Sequence, residues 1–386
     1  MSERGAMDEH RWIDTGQALD ALLDELEGEA RYGLDTEFLR ERTYHPELAL
    51  VQIGWPGGVA LIDPLAAPIE RLARLFEGEG LAILHASSQD LEILRLRCGT
   101  VPRRLYDLQI AGAFTGLGIA SLATLVRELL DAPLSKGARL TDWTRRPLDA
   151  AERAYAAADV EHLLALHDRL VARLEEAGRT AWALTEMRLL LEREPADPEP
   201  ETAWWKLKGA NRLNRRAGGV AQSLAAWRQR EAEARDRPVR ALLPDVALLS
   251  LAERPPEGSA QLRRVRGLDG RHLGGGRDAM ILEAIRRGLA LEDRELRRPA
   301  LEPRGDKANV HGSVCLALAS QVADELGIDP SFLATRKDIT ALIRGEPSRL
   351  DEGFRKDLLG DSLRALLRGE LALALREGDR IELLER

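Results

Sequence analysis

The chain has 386 residues, of which 44% are hydrophobic and 31% are charged, and its formal net charge is −8 at pH 7. This composition excludes a disordered or fibrous protein, and the length exceeds that of one hydrophobic core, so we expect two or three domains. No apolar stretch approaches the roughly 20 residues that span a bilayer, and the polar N-terminus lacks the apolar core of a secretory signal. Cys98 and Cys315 are far apart in the sequence and form no CxxC pair, which is typical of a reducing compartment. We therefore expect a cytoplasmic protein without a membrane segment.

The first half of the chain alternates short apolar runs with helical patterns. These runs predict strands at 32–38, 48–55, 58–64 and 81–86. The helical patterns predict helices at 69–76, 91–96, 121–130 and 150–174. Adjacent strands followed by strand–helix alternation favour an α/β domain, with a mixed sheet flanked by helices.

The second half is helical in pattern. It follows an acidic, proline-interrupted linker at 195–201, and a second break near 297–307 divides it into two blocks of comparable size. The sequence therefore predicts an α/β domain at 1–194, followed by two small all-α domains at 202–292 and 300–380.

A pair of acids, Asp35 and Glu37, lies within the first predicted strand. Side chains two residues apart leave the same face of a strand, so both carboxylates can converge on one cation. The Asp-x-Glu spacing recurs at four other places in the chain, and an isolated pair of this kind is usually a solvated surface. Apolar neighbours distinguish Asp35 and Glu37, because an acid in a buried strand needs a partner, a cation or a raised pKa.

Three further residues complete an acidic set. Asp90 follows an apolar strand and opens the next predicted helix, where it is either a helix N-cap or part of a site at the strand end. Tyr155 and Asp159 are four residues apart in a helical pattern, so they project from one face. An amphipathic helix with a buried tyrosine and an exposed acid would have the same pattern.

The ordered set of DxE, a later Asp and YxxxD resembles the DEDDy class of 3′→5′ exonucleases. The surrounding sequences LDTEFLRERTYHPELALVQIG, LHASSQDLEIL and YAAADVEHLLAL are similar to the three motifs of bacterial ribonuclease D. The segment 134–148 is also similar, since the family has a basic residue (here Lys136) and an Asp-Trp pair before its last motif. The resemblance covers roughly residues 10–190 and implies a ribonuclease H-like fold.

The resemblance implies that two divalent ions, Mg²⁺ or Mn²⁺, are held by Asp35, Glu37, Asp90 and Asp159. These ions prefer hard oxygen ligands, and a pair of them can activate water and stabilise both the transition state and the leaving oxygen. Tyr155 would orient the attacking water. The sequence contains no HExxH zinc motif, no GxxxxGK[ST] phosphate loop and no GxSxG elbow, so we expect neither a zinc hydrolase nor a nucleotide cofactor.

A basic segment follows the linker. Between residues 201 and 244 there are ten basic residues and four acidic ones, with Trp204, Trp205 and Trp227 among them. Such a segment can neutralise phosphates, and tryptophans can stack on bases, although we favour a core position for them. The segment resembles the HRDC domain, a helical nucleic-acid-binding module, and the last block fits a second, degenerate copy. The candidate RNA contacts are Lys136, Arg212, Arg215, Arg216, Arg228 and Arg230.

The resemblance implies a 3′→5′ exoribonuclease that releases mononucleotides from single-stranded 3′ ends, with tRNA precursors as substrates. A DNA exonuclease of the same superfamily is the alternative, because the metal chemistry does not touch the 2′-hydroxyl. A nuclease fold without activity is a second alternative, but none of the five site residues is missing.

Overall fold

The computed structural model describes residues 10–133, 141–193, 199–298, 306–376 and 380–385. The chain forms two compact units. The first unit contains Met1–Phe38, Leu48–Glu194 and Pro303–Arg386, and the second contains Leu39–Glu47 and Pro195–Glu302.

A six-stranded mixed sheet lies at the centre of the first unit, with the strand order β1-β4-β3-β2-β5-β6. The strands are β1 (Arg11–Ile13), β2 (Arg31–Leu39), β3 (Glu47–Trp55), β4 (Gly58–Ile62), β5 (Leu81–Leu84) and β6 (Leu105–Asp107). β1 pairs in parallel with β4, as β5 does with β2 and β6, whereas β3 and β4 are antiparallel. The sheet is therefore mixed, as the sequence predicts.

Helices cover the sheet of the first unit. Those between β1 and residue 193 are α1 (Gly16–Leu26), α2 (Ala73–Phe76), α3 (Ser88–Cys98), α4 (Leu108–Ala113), α5 (Leu122–Leu130), α6 (Ala150–Glu161), α7 (Leu163–Glu176) and α8 (Thr180–Glu192). A 3₁₀ turn, Ile69–Leu72, precedes α2. One buried apolar cluster packs α1 and α3 against the sheet, and another contains residues of α4, α5, α7 and α8.

The second unit is helical in its described part. After two 3₁₀ turns, Pro200–Lys206 and Ala210–Arg212, it contains α9 (Arg215–Ala234), α10 (Val239–Leu242), α11 (Asp245–Glu253), α12 (Ser259–Leu262), α13 (Gly270–Leu273) and α14 (Arg277–Ala290). α9 and α14 pack closely through glycines, because a Cβ on Gly288 would lie 2.5 Å from the Cα of Val220. Trp204 and Trp227 are buried in this core, as predicted, while Trp205 is exposed.

The last block of the chain belongs to the first unit. Its elements are α15 (Asp306–Leu326), α16 (Pro330–Leu333), α17 (Arg336–Arg344), α18 (Gly353–Arg355), a π-helical turn (Lys356–Gly360), α19 (Asp361–Arg368), β7 (Leu371–Arg376) and β8 (Arg380–Glu385). Leu318, Leu333 and Leu359 share one apolar cluster with Phe114 and Leu166 of the nuclease part. Their common core explains why the last block groups with the nuclease part.

The predicted fold class, a mixed α/β sheet followed by helical blocks, is confirmed. All four predicted strands are present. The helix predicted over 150–174 is divided into two at His162, which is the C-cap of α6 and the N-cap of α7. One difference is the antiparallel hairpin of β7 and β8, within a block predicted to be all-α. Gln321 of α15 holds this hairpin by bonding the backbone N–H and C=O of Ile381. Among the described residues, no helix has both the length and the apolar character that crossing a membrane requires.

Candidate active site

The strand β2 presents different residues on its two faces. Tyr32 and Leu34 are fully buried in the apolar core on one face. Gly33, Asp35 and Glu37 alternate with them and therefore share the opposite face. The two acids predicted from the DxE spacing thus leave the sheet on the same side, at its central strand.

Helix α6 carries Tyr155 and Asp159, and its start is fixed by a capping box. The Asp149 side chain accepts a hydrogen bond from the backbone N–H of Glu152, whose carboxylate accepts one from the N–H of Asp149. Arg145 also pairs with the buried Glu152 at 2.8 Å. These contacts satisfy free N–H groups of the first turn and fix where α6 begins.

The other end of α6 lies unusually close to the sheet. A Cβ on Gly54 of β3 would lie 2.9 Å from the carbonyl oxygen of Val160, and one on Gly33 would lie 3.2 Å from the same atom. A Cβ at Gly54 would therefore force a shift of the backbone, and one at Gly33 would fit only if its neighbours moved by a few tenths of an ångström. Because Gly33 and Asp35 share a face of β2, this close contact brings Asp159 next to the DxE acids.

Asp90 is the third residue of α3, and it is buried. It is therefore not the helix N-cap, and the cap residue Ser87 makes no side-chain cap bond. The hydroxyl of Thr36, on the strand between the two DxE acids, donates a hydrogen bond to Asp90 Oδ1 over 2.5 Å. This bond links the second motif directly to the first. His85 directly follows β5, and its Nε2 lies in hydrogen-bond contact with the carbonyl oxygen of Ala120 at 2.9 Å.

All four carboxyls have raised pKa values, and Asp35 and Glu37 also respond to the charges of the other acids. Burial raises the pKa of Asp35 well above its usual range, and Asp90, Asp159 and Glu37 raise it further. Burial, with Asp159 and Asp90, raises the pKa of Glu37 to about 8. Burial also raises the pKa of Asp159 to about 7 and that of Asp90 to about 6, although the Thr36 hydrogen bond opposes the shift at Asp90. The set predicted from sequence is therefore one cluster in space.

Such a cluster fits a site for hard divalent cations. Acids whose pKa values are raised by burial and by neighbouring acids need either protons or cations, and carboxylates are the ligands that Mg²⁺ and Mn²⁺ prefer. In the parts of the chain that the structure describes, no three His, Cys, Asp or Glu side chains are yet arranged to hold one metal ion.

Tyr155 lies on α6, one turn before Asp159. Its ring is half-buried and lies beside Trp143, with the ring centroids 6.1 Å apart and the planes tilted by 30°. Trp143 belongs to the Asp-Trp pair noted in the sequence, and it is buried in a small apolar cluster with Ala156. The tryptophan thus supports the phenol that the sequence assigned to the site.

The candidate RNA contacts have different environments. Arg228 is 5% exposed and bonds Asp245 and the carbonyl of Leu243, so the prediction of an RNA contact there is wrong: its guanidinium holds the α10–α11 turn. Arg215 pairs with Asp293 and Arg230 with Glu201, both at the surface. Arg212 and Arg216 are exposed and make no side-chain hydrogen bond or ion pair within the described residues. Lys136 lies outside the described residues.

Three residues of the site were not predicted from the sequence: Thr36, Gly33 and Gly54. Thr36 lies inside the DxE motif, and its hydroxyl, placed between two acids in a buried strand, could have indicated a hydrogen-bond donor for the site. The two glycines interrupt apolar strands, a pattern that indicates a close backbone approach.

Comparison with known proteins agrees with this geometry. A family model for 3′-5′ exonucleases matches residues 10–175, and one for the HRDC domain matches residues 217–274. The Ribonuclease D of Granulibacter bethesdensis is 36% identical over 386 residues, 96% of either chain, and that of Gluconacetobacter diazotrophicus is 34% identical over 377 residues, 96% of this chain and 95% of the relative.

The crystal structure of Escherichia coli RNase D, described as an exoribonuclease involved in structured RNA processing, is similar with a TM-score of 0.85 and 31% identity over 93% of this chain and 99% of that one. A protein from Bifidobacterium adolescentis, at 24% identity and a TM-score of 0.73, shares the fold. The resemblance inferred from the three motifs is confirmed. Because such relatives extend over nearly the whole chain, this protein belongs to the ribonuclease D family of 3′→5′ exoribonucleases.

Proposed function

We propose that this chain trims single-stranded 3′ extensions of tRNA precursors, with two Mg²⁺ or Mn²⁺ ions held by Asp35, Glu37, Asp90 and Asp159. Hydrolysis of RNA and dependence on divalent metal follow from the family. The particular RNA, the particular metal and the residue roles are our proposal. The observation that supports it most is the cluster of four carboxyls with raised pKa values, in which the charges of Asp90 and Asp159 act on both Asp35 and Glu37.

The residues of the cluster have separable roles in this proposal. When bound, a pair of divalent ions supplies an activated water and stabilises charge on the phosphate and on the leaving 3′ oxygen. Asp35 is the candidate to contact both ions, since three other acids act on its pKa. Tyr155 orients the attacking water by hydrogen bonding and need not ionise to do so.

The helical blocks contact the RNA in this proposal. Arg212 and Arg216 are the candidates in the second unit, since they are exposed and have no protein partner in the described chain. Lys136 remains a candidate from the resemblance alone. We also keep the division into domains at 1–194, 202–292 and 300–380, with the last as a degenerate HRDC copy. A cytoplasmic location is part of the proposal, because the two buried cysteines are free thiols.

One assay tests the site and the substrate together. The protein is incubated with Mg²⁺ or Mn²⁺ and with matched single-stranded RNA, single-stranded DNA and a tRNA with a 3′ extension, and released mononucleotides are followed. Asp35→Ala and Asp159→Ala should lower activity by more than about 100-fold, since even outer-shell partners are worth roughly 10- to 100-fold. Tyr155→Phe should lower kcat on the order of 100-fold. Asp329→Ala, which removes the N-cap of α16, is the control for an aspartate lost elsewhere in the same unit.

The outcomes separate the alternatives. Release from DNA but not from RNA would identify a DNA exonuclease. Full activity in Asp35→Ala would refute the proposed site. Equal trimming of the tRNA extension and of unstructured RNA would leave an exoribonuclease without the proposed preference.

A further inference from the structure

The turn between β5 and α3 has an unusual backbone. Ala86 has a φ of 57°, in the left-handed region that residues with a side chain rarely adopt. Ser87 follows and is fully buried, and its carbonyl accepts the N–H of Leu91 to begin α3. Asp90 comes three residues after Ser87, so the conformation of this turn sets where the Asp90 carboxylate lies.

A buried aspartate that no motif includes holds this turn. Asp107 ends β6 and is 1% exposed. Its Oδ2 accepts the backbone N–H and the hydroxyl of Ser87, both at 2.8 Å, and its Oδ1 accepts the N–H of Ala86 at 3.3 Å. Oδ1 also caps α4 by accepting the N–H groups of Gln109 and Ile110 at 2.8 and 3.1 Å.

These five donors divide between the two oxygens in a useful way. Oδ1 makes the two bonds of a helix N-cap and a longer one to Ala86, whereas Oδ2 bonds only to Ser87. A carboxylate that served only as a cap would not need the second set of contacts. β6 pairs with β5 in register, Asp107 opposite Leu84, so the sheet itself brings Asp107 to the turn.

We propose that Asp107 is a positioning residue for the metal site, which acts through Ser87 to hold Asp90 in place. The inference rests on the proposed function, because it takes Asp90 as a metal ligand. Asp90 is then fixed in two ways: Thr36 donates a hydrogen bond to its carboxylate, and Asp107 holds the backbone of Ser87, from which α3 begins. Groups that orient a ligand in this way typically change metal affinity by roughly 10- to 100-fold.

Two substitutions separate this role from helix capping. Asp107→Asn can keep its oxygen toward α4 and would turn its NH₂ group toward the N–H of Ser87, where two donors face each other. Ser87→Ala removes one bond to Oδ2 and leaves the α4 cap untouched. The matched controls are Asp329→Asn, which changes the N-cap of α16, and Ser121→Ala, which removes the serine N-cap of α5.

The test measures Mn²⁺ binding to the RNA-free protein by electron paramagnetic resonance, together with activity against Mn²⁺ concentration. We expect Asp107→Asn to raise the apparent Mn²⁺ dissociation constant about 10-fold or more, with Ser87→Ala in the same direction and smaller. Much of the lost kcat should return at saturating Mn²⁺, while KM for RNA stays close to that of the wild type. The two controls should change Mn²⁺ affinity less than about 2-fold, because substitutions at distant, independent sites rarely affect one another by more.

Each result has a definite meaning. If both site variants bind Mn²⁺ as tightly as the controls and lose only thermal stability, Asp107 is a cap and the inference is wrong. If Asp107→Asn does not fold, Ser87→Ala alone decides. If the wild type binds no Mn²⁺ but still degrades RNA, the proposed metal site has failed, a result distinct from a failure at Asp107.

Discussion

Loss of protons from the carboxyl cluster should make the metal-free protein less stable as pH rises. Glu37 and Asp159 have pKa values of about 8 and about 7 in the folded chain, against ordinary values of 4.5 and 3.8. A group with a raised pKa binds more protons in the folded state than in the unfolded state. Its contribution to the free energy of unfolding is therefore complete below its unfolded-state pKa and is lost as pH rises through its folded-state pKa. The loss should therefore occur between about pH 4 and pH 8.

The expected size follows from the same values. For an isolated acid, a shift of the pKa from 3.8 to about 7 would lower the free energy of unfolding by about 4 kcal/mol once the pH exceeds 7, at ~1.4 kcal/mol for each pKa unit. The carboxyls titrate as a coupled set, so their individual costs do not add. We expect a total loss of the order of 4 kcal/mol, which is a large share of the stability of a typical domain.

Differential scanning calorimetry between about pH 5 and pH 8, with EDTA and then with excess Mn²⁺, measures this effect. The control is the double variant Glu37→Gln/Asp159→Asn, which cannot titrate at these positions, and only the difference between the two proteins is interpreted. With EDTA the wild-type Tm should fall relative to the variant as pH rises, and Mn²⁺ should restore it most strongly at the upper end, because metal competes with protons. Parallel curves for the two proteins, or no stabilisation by Mn²⁺ at about pH 8, would refute the reasoning.

Two further substitutions test parts of the structure that the sequence did not reveal. Gly54→Ala places a Cβ 2.9 Å from the Val160 carbonyl. It should push the end of α6 away from the sheet, and the fall in kcat should exceed what an overpacking loss of about 1–3 kcal/mol in stability explains. The control is Gly312→Ala, which should leave kcat unchanged because a Cβ there meets no heavy atom within 4 Å. Equal kcat values in the two variants would contradict the close packing of α6 on the sheet. Replacing Arg212 and Arg216 with Gln should weaken RNA binding in EDTA. The slope of the logarithm of the binding constant against the logarithm of the salt concentration should fall by about 1.4, or roughly 0.7 for each single-strand phosphate contact. An unchanged slope would mean that the RNA contact lies elsewhere.

The chemistry of the site was predictable from sequence because it depends on residue type and spacing. Asp35 and Glu37 had to share a face in any strand, and Tyr155 and Asp159 had to share one in any helix. The strands themselves were predictable where apolar runs were long, as in β3. The grouping of these faces in space was not predictable from spacing alone, and the motif resemblance supplied it.

What the sequence did not predict depends on short elements and on partners distant in the chain. β1 and β6 have only three residues each, too few for a periodic pattern. Arg228 was indistinguishable from its basic neighbours, since its burial depends on Asp245 at the start of α11, 17 residues further along the chain. The hairpin of β7 and β8 was obscured because it follows helices without a proline break.

The structure also shows which interactions offset the destabilising effect of the acidic cluster. Burial raises the pKa of all four carboxyls, and the neighbouring acids raise those of Asp35 and Glu37 further, so the cluster destabilises the metal-free fold and other interactions must hold its elements together. Those interactions are the capping box of α6, the contact of Gly54 with α6 and the bonds of Asp107 to the β5–α3 turn. None of them uses a charge of opposite sign placed among the four acids, which would compete with divalent cations for the carboxylates. Packing and backbone hydrogen bonds can therefore fix these elements and still leave the carboxylates available to bind metal.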